Sequence, residues 1–273
     1  MRQDSSGRYT HGHERSTLDS HGKRTAQNSA AYLLPQLKPG MDILDIGCGP
    51  GTITLDFAPL VAPGKVVGIE NVEPPLRVAR TEASAREDKT TVFQSGDALN
   101  LPFEDESFDV VHAHQVLQHL TDPVTALREM VRVCKPGGWI AARDADYAAM
   151  SWYPEIAGLE LWRQAYRAAA RANGAEPDAG RRLRAWANAA GIVNPQVTAS
   201  VWSYSDPATC LWWGNGQASR CAGEIFSQQA QEQGLGDESI ESIVRAWREW
   251  GREPDAWFCL VHGELLAQIS SEA

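Results

Sequence analysis

A chain of 273 residues is long enough for one large α/β unit with additions, or for two small ones. Its formal net charge of −10 argues against nucleic acid as the main partner, because that binding requires phosphates to be neutralised. No apolar run approaches the roughly 18 residues of a membrane span. The cysteines, Cys48, Cys134, Cys210, Cys221 and Cys259, are scattered, odd in number and without a Cys-x-x-Cys pair. That usage fits a reducing, cytoplasmic setting and gives no zinc site.

Residues 1–15 are polar and rich in Gly, Ser and His, with no apolar core of a secretory leader. The spacing over residues 17–37 predicts a helix ended by Pro35 or Pro39. It would place Arg24, Asn28 and Tyr32 on one face, with His21 a turn before them. Ile43, Leu44 and Ile46, broken only by Asp45, read as a short strand covered on both faces. It runs into the alternate glycines Gly47, Gly49 and Gly51, after which Ile53, Leu55, Phe57 and Leu60 suit a short helix. A strand entering a glycine-rich turn before a helix lets backbone N–H groups approach a ligand closely. A dinucleotide fingerprint needs Gly-x-Gly-x-x-Gly; here the third glycine comes one residue early and Thr52 stands in its place, which disfavours a nicotinamide oxidoreductase.

The motif Asp45-Ile-Gly-Cys-Gly-Pro-Gly51 resembles the first motif of class I S-adenosylmethionine-dependent methyltransferases. Within them the chain is most similar to the UbiE-like, methyltransferase type 11 small-molecule subgroup. The resemblance covers residues 41–144 with matched motifs and residues 17–40 more loosely. It implies S-adenosyl-L-methionine as cofactor, with Gly47, Cys48, Gly49 and Gly51 around its methionine half and Asp45 near its amino group. It also implies an N-terminal segment that closes over the cofactor, where the Arg24 fork suits a carboxylate. Residues 65–70 predict a second strand ending in Glu70, about twenty residues past the loop, where an α/β nucleoside site places a carboxylate on the ribose hydroxyls. Asn71 follows beside it. A helix over residues 74–88 has prolines at its start, and residues 91–97 read as a third strand. Gly96-Asp97-Ala98 resembles the family's adenine corner, with Asp97 accepting from the amino group and Ala98 offering an N–H. The run from Leu101 to Asp109 resembles the family's lead into strand four.

Strand four, residues 108–115, carries His114 and Gln115 to its carboxyl end, where ligands bind in an open α/β sheet. His112 lies deeper and reads as a core histidine, and His119 sits on the turn beyond. An amphipathic helix over residues 122–134, capped by Asp122-Pro123, leads through Lys135-Pro-Gly-Gly138 into strand five, residues 139–144. Residues 188–204 and 255–269 supply the last two strands. The expected fold is α/β, a doubly wound seven-stranded Rossmann-like methyltransferase sheet with an N-terminal helical segment and helical cap insertions. Residues 1–40 would form the lid segment and 41–144 the cofactor-binding core. Residues 145–273 would hold the remaining strands and the substrate-binding insertions, 145–187 and 206–251.

Methyl transfer from a sulfonium is an in-line displacement and depends mainly on positioning. A base is needed only when the acceptor has a proton to lose, and histidine has the suitable ordinary pKa. The candidates are His119 or His21, with His114 closer to the cofactor. Asp144, Asp146 and Tyr147 follow strand five and rim the expected pocket. Without a third oxygen ligand the two acids predict no metal, and one acid could hold a cationic amine. All ten tryptophans lie at or beyond Trp139. Trp212 and Trp213 could wall an aromatic pocket, with Gly214 and Gly216 letting a lid move, and Tyr9 a further substrate contact. The expectation is O- or N-methylation of a small aromatic, amine or amide metabolite of secondary or quinone metabolism, by a cytoplasmic monomer or homodimer. A protein or tRNA methyltransferase is the first alternative. A non-catalytic cofactor-binding partner subunit is the second, and Asp45, Glu70 and Asp97 count against it.

Overall fold

The computed structural model describes residues 23–270. In chain order, α1 (Ala26–Ser29) leads to β1 (Ile43–Ile46), α2 (Thr52–Val61), β2 (Val66–Glu70), α3 (Glu73–Ala85) and β3 (Thr91–Ser95). Then follow β4 (Phe108–His114), α4 (Pro123–Val133), β5 (Cys134–Ala145), β6 (Ser151–Tyr153), α5 (Ala157–Ala172) and α6 (Leu183–Ala189). The chain closes with β7 (Gln196–Tyr204), α7 (Pro207–Ala222), α8 (Glu224–Glu232), α9 (Asp237–Trp250) and β8 (Trp257–Gln268).

The sheet runs β3-β2-β1-β4-β5-β8, with β7 on the outer side of β8 and the short β6 pairing the start of β8 beyond the end of β5. The first five of these strands are parallel, and β8 is antiparallel to both β5 and β7. The chain moves outward from β1 to β3 and returns on the other side of β1 with β4. That reversal opens a crevice at the carboxyl ends of β1 and β4, where an open α/β sheet binds its ligand. All four β1 residues are buried. Leu44 and Ile46 pack with Val111, Leu127 and Met130 on one face, and Ile43 packs with Leu33, Phe57 and Val110 on the other.

The helix expected over residues 17–37 does not form across the described part. Thr25 caps a helix of one turn, accepting from the Asn28 N–H at 3.2 Å while Asn28 Oδ1 accepts from the Thr25 N–H at 2.9 Å. A reciprocal box fixes the helix start at residue 26, and Pro35 then leads into a turn of 3-10 helix over Leu34–Gln36. Arg24 therefore precedes the helix and shares no helical face with Tyr32. The strand expected from residue 188 begins at Gln196. Gly191 (φ +85°) and Asn194 (φ +50°) end α6 in left-handed conformations, and Pro195 brings no N–H.

The second half builds a separate aromatic core. Trp162, Trp213, Trp247, Trp250, Tyr166 and Phe258 pack together between α5, α7, α9 and β8. Trp247 and Trp250 are both 0% exposed, so these two tryptophans serve packing. Gly214 lies inside α7 rather than at a hinge, because a Cβ there would stand 2.6 Å from the Trp247 carbonyl oxygen on α9. We expect Gly214→Ala to force these helices apart and cost about 1–3 kcal/mol in urea unfolding. Gly216, with open space around it, is the control. Equal stability of the two variants would show that the helices are not locked at Gly214. Among the described residues no helix is long and apolar enough to cross a membrane.

Candidate active site

The loop after β1 is built by conformation. Gly47, Gly49 and Gly51 all have positive φ, at +63°, +54° and +79°, where other residues are strained. A Cβ on Gly47 would also meet Val116 Cγ2 at 2.4 Å, so this glycine is needed for space as well as for its angle. The Cys48 N–H donates to the Ile69 carbonyl at 3.0 Å, pinning the loop to the end of β2. There the Glu70 carboxylate accepts from the N–H of Gly49 at 3.3 Å and of Asn71 at 2.9 Å. Burial raises the Glu70 pKa, and those two N–H groups only partly offset it. The Gly96 N–H donates to the Glu70 carbonyl at 3.1 Å, which brings the exposed Asp97 and its neighbour Ala98 to the same edge.

Asp45 turns away from the loop's open side. Its Oδ2 accepts from Thr54 Oγ1 at 2.5 Å and its Oδ1 from His112 Nδ1 at 2.7 Å, all three side chains being buried. Both oxygens are therefore engaged below the loop, tying β1 to α2 and β4. In the structure Asp45 braces the strand beneath the glycines.

Beyond β4 the backbone turns sharply at Gln115 (φ +55°), whose N–H donates to the Arg143 carbonyl at 2.7 Å. Its side chain joins distant segments: Oε1 accepts from Arg24 Nη2 at 2.7 Å, and Nε2 lies 2.8 Å from His262 Nε2. His114 is buried between Trp202 and His262, and burial with the nearby Arg24 and Arg143 charges pushes its pKa well below the ordinary range.

His119 ends a 3-10 turn over Leu117–His119. Gln118 Oε1 accepts from the Ala145 N–H at 2.9 Å, so Gln118 Nε2 donates to His119 Nε2 at 3.0 Å. Burial, with the Arg24 charge, pushes the His119 pKa down to about 3. A lone pair already accepting and a conjugate acid this strong make His119 a poor base. His21 and Tyr9 lie outside the described residues.

The two acids at the end of β5 do not face a pocket. Asp144 is 0% exposed, with Oδ1 accepting from the Gln118 N–H at 3.0 Å, and burial pushes its pKa up to about 7. Asp146 is clasped by Arg181, with Nε at 2.6 Å and Nη2 at 2.7 Å, and also accepts from the Ala149 N–H. Strand-end position predicted exposure to ligand, but a guanidinium 35 residues away in sequence turned Asp146 inward. Neither is placed to bind an amine.

Tyr147, Trp212 and Trp213 do line a cavity of about 360 Å³, together with Trp202 and Tyr204 of β7, Leu260 of β8, and Gln115, Gln217 and Arg220. Lys23, Arg24 and Asn28 close it from the N-terminal side, and the Trp202 indole donates to the Asn28 carbonyl at 2.8 Å. Burial pushes the Tyr204 pKa up to about 12. Sequence reasoning missed Trp202, Tyr204, Arg220 and His262. The i, i+4, i+7 series Trp213, Gln217, Arg220 was readable as one face of α7. The β7 residues were not, because only pairing with β8 turns them toward the cavity.

The chain's residues 37–193 match the methyltransferase domain family model. The chain belongs to this methyltransferase family. An uncharacterized methyltransferase of Schizosaccharomyces pombe is 34% identical over 267 residues, 94% of this chain and 95% of its own length. A probable methyltransferase of Aspergillus luteorubrus, LtbC, is 31% identical over 95% of this chain and 96% of its own length. A demethylmenaquinone methyltransferase of Lactococcus lactis is 37% identical over a shorter stretch, 42% of this chain and 46% of its own length. Among solved structures, YcgJ of Bacillus subtilis superposes with a TM-score of 0.61 at 21% identity, over 89% of this chain and 99% of that one. A phosphoethanolamine N-methyltransferase of Haemonchus contortus with bound S-adenosylhomocysteine shares the fold, at a TM-score of 0.56 and 17% identity over 89% of this chain and 53% of that one. The protein is thus an S-adenosylmethionine-dependent methyltransferase. Its crevice fits that cofactor: three glycines leave a cradle without side chains, next to the partly buried carboxylate of Glu70.

Proposed function

We propose that this methyltransferase modifies a small, flat aromatic acceptor on oxygen or nitrogen. The observation that carries the reading is an aromatic cavity lined by Gln115, whose neighbour in sequence, Val116, packs on Gly47 of the glycine loop. Its volume of about 360 Å³ suits a small molecule, and its walls are four aromatic side chains from β7 and α7 with Tyr147. A peptide or tRNA acceptor would need an open groove. A cationic alkyl amine acceptor is disfavoured because Asp144 and Asp146 are turned inward. One relative is named for demethylmenaquinone, which is in keeping with an acceptor from quinone or secondary metabolism.

In this reading Gly47, Cys48, Gly49 and Gly51 hold the methionine half of the cofactor, Glu70 and Asn71 its ribose, and Asp97 and Ala98 its adenine. Bound there, S-adenosylmethionine supplies an electrophilic methyl carbon on a sulfonium sulfur. Stacking on Trp202, Tyr204, Trp212 and Trp213 would orient the acceptor and exclude water, which is most of what an in-line transfer requires. Arg24, held by Gln115, stands at the junction of the two sites. Calorimetry with S-adenosylmethionine and S-adenosylhomocysteine, then mass spectrometry of products from a panel of phenols, aryl amines, alkyl amines and amides, tests this. Cofactor binding with a mass gain on flat aromatic acceptors is expected. Transfer confined to alkyl amines would overturn the acceptor class.

A further inference from the structure

We infer that the acceptor binds as an anion, a planar conjugated molecule bearing a carboxylate or an ionised phenol or enol, and that Arg220 selects it. This rests on the cavity's being the acceptor site. The chain carries a net charge of −10, yet among the described residues the cavity lining includes Lys23, Arg24 and Arg220 and no Asp or Glu. Each cation stands on one of the cavity's indoles: Lys23 Nζ is 4.4 Å from the Trp212 ring centre, Arg24 Cζ 5.5 Å from Trp202, and Arg220 Cζ 5.7 Å from Trp213. A flat ligand held among these rings would therefore lie close to positive charge.

A second, independent observation lies behind Trp202. Arg143 is 1% exposed and sits 5.0 Å from that ring, and neither Nη1 nor Nη2 has an acceptor among the described residues. Its ion-pair partner, Glu264 at 3.4 Å, is itself shared with Thr198 and Ser200. Burial, together with Arg24 and Arg143, pushes the pKa of His114 and His262 well below the ordinary range. These imidazoles are neutral, and the positive field near the cavity floor helps keep them so. A cationic amine entering here would lose water and meet like charge, whereas an anion would gain charge-assisted hydrogen bonds in a weakly screened site.

Arg220 is the selecting residue because it lies on the cavity face of α7 with Trp213 and Gln217, where a guanidinium can fork onto two oxygens. An anionic oxygen nucleophile also removes the need for a base. Its lone pair forms the new bond to the methyl carbon, the carbon–sulfur bond breaks with its electron pair going to sulfur, and a neutral thioether leaves. No proton moves in that step. The methylated product is neutral, so the charge that held the acceptor no longer retains it.

The test measures three probes of one shape by calorimetry in saturating S-adenosylhomocysteine: 2-naphthoate, 2-naphthalenemethanol and 2-naphthylmethylamine. Naphthoate is expected to bind about tenfold or more tighter than the alcohol, with the amine weakest. Arg220→Gln should reduce that preference to about threefold or less, Arg220→Lys should restore part of it, and Lys23→Gln should cause a smaller loss. S-adenosylhomocysteine affinity should be unchanged throughout, which also shows that each variant is folded. Equal binding of naphthoate and alcohol, tighter binding of the amine, or an unchanged preference in a folded Arg220→Gln protein overturns the inference. Failure of the wild type to bind S-adenosylhomocysteine overturns the cofactor reading instead.

Discussion

Glu70→Ala is expected to weaken binding of S-adenosylmethionine and S-adenosylhomocysteine equally, by about a hundredfold or more in calorimetry. The Glu70 carboxylate accepts two backbone N–H groups, at 2.9 Å from Asn71 and 3.3 Å from Gly49. A carboxylate has room for about four such bonds, so a ribose diol can add two more. Each hydrogen bond to a charged acceptor is worth about 1.5–3 kcal/mol, and about 1.4 kcal/mol is a factor of ten. Loss of the Gly49 contact would also loosen the glycine loop, so the variant alone does not isolate the ribose. Adenosine and 2′-deoxyadenosine do. The wild type should prefer adenosine, and the variant should treat the two alike. A preference that survives the substitution would move the ribose contact elsewhere.

That carboxylate was legible because its position follows from two local features, a strand that ends and a loop about twenty residues before it. The glycine loop and the first four strands along the chain were legible for the same reason. Contacts made by segments far apart were not. Trp202 reaches the cavity only because β7 pairs β8 with Trp202 opposite Leu260. His262 meets Gln115 across 147 residues. Asp45 reads as a ligand contact in the motif, but Thr54 and His112 take its two oxygens from either side. At the N-terminus the apolar spacing of a helix overrode a stronger local signal, the Thr25 and Asn28 box, which starts the helix at residue 26. In most of these misses, one polar partner supplied by a distant element decided where a side chain points.

Asp144 is the miss with the largest energetic consequence. It was expected at the pocket rim, and instead it supports the turn that carries Gln118 and His119 from a fully buried position. Burial outweighs the Gln118 N–H and the Arg143 charge and pushes its pKa up to about 7. In the unfolded chain an aspartate titrates near 3.9. The folded state therefore holds the proton more tightly. Stability from this group is complete below about pH 3.9 and is lost as pH rises through about 7. The gap is worth roughly 4 kcal/mol once the carboxylate is charged, an upper bound for a protein that can relax around it. The side-chain amide introduced by Asp144→Asn would keep an acceptor for the Gln118 N–H without the charge. We expect the variant to match the wild type near pH 4 and to exceed it by up to about 4 kcal/mol at pH 8.5 in urea unfolding. Three histidines pull the other way. With lowered folded pKa values, His114, His119 and His262 contribute stability present above about pH 6.5 and lost as pH falls. That loss is common to both proteins and cancels in their difference, which isolates Asp144. A difference that does not change between pH 4 and pH 8.5 would mean the carboxyl is not held neutral by burial. The turn after β4 would then tolerate a charge directly beneath His119.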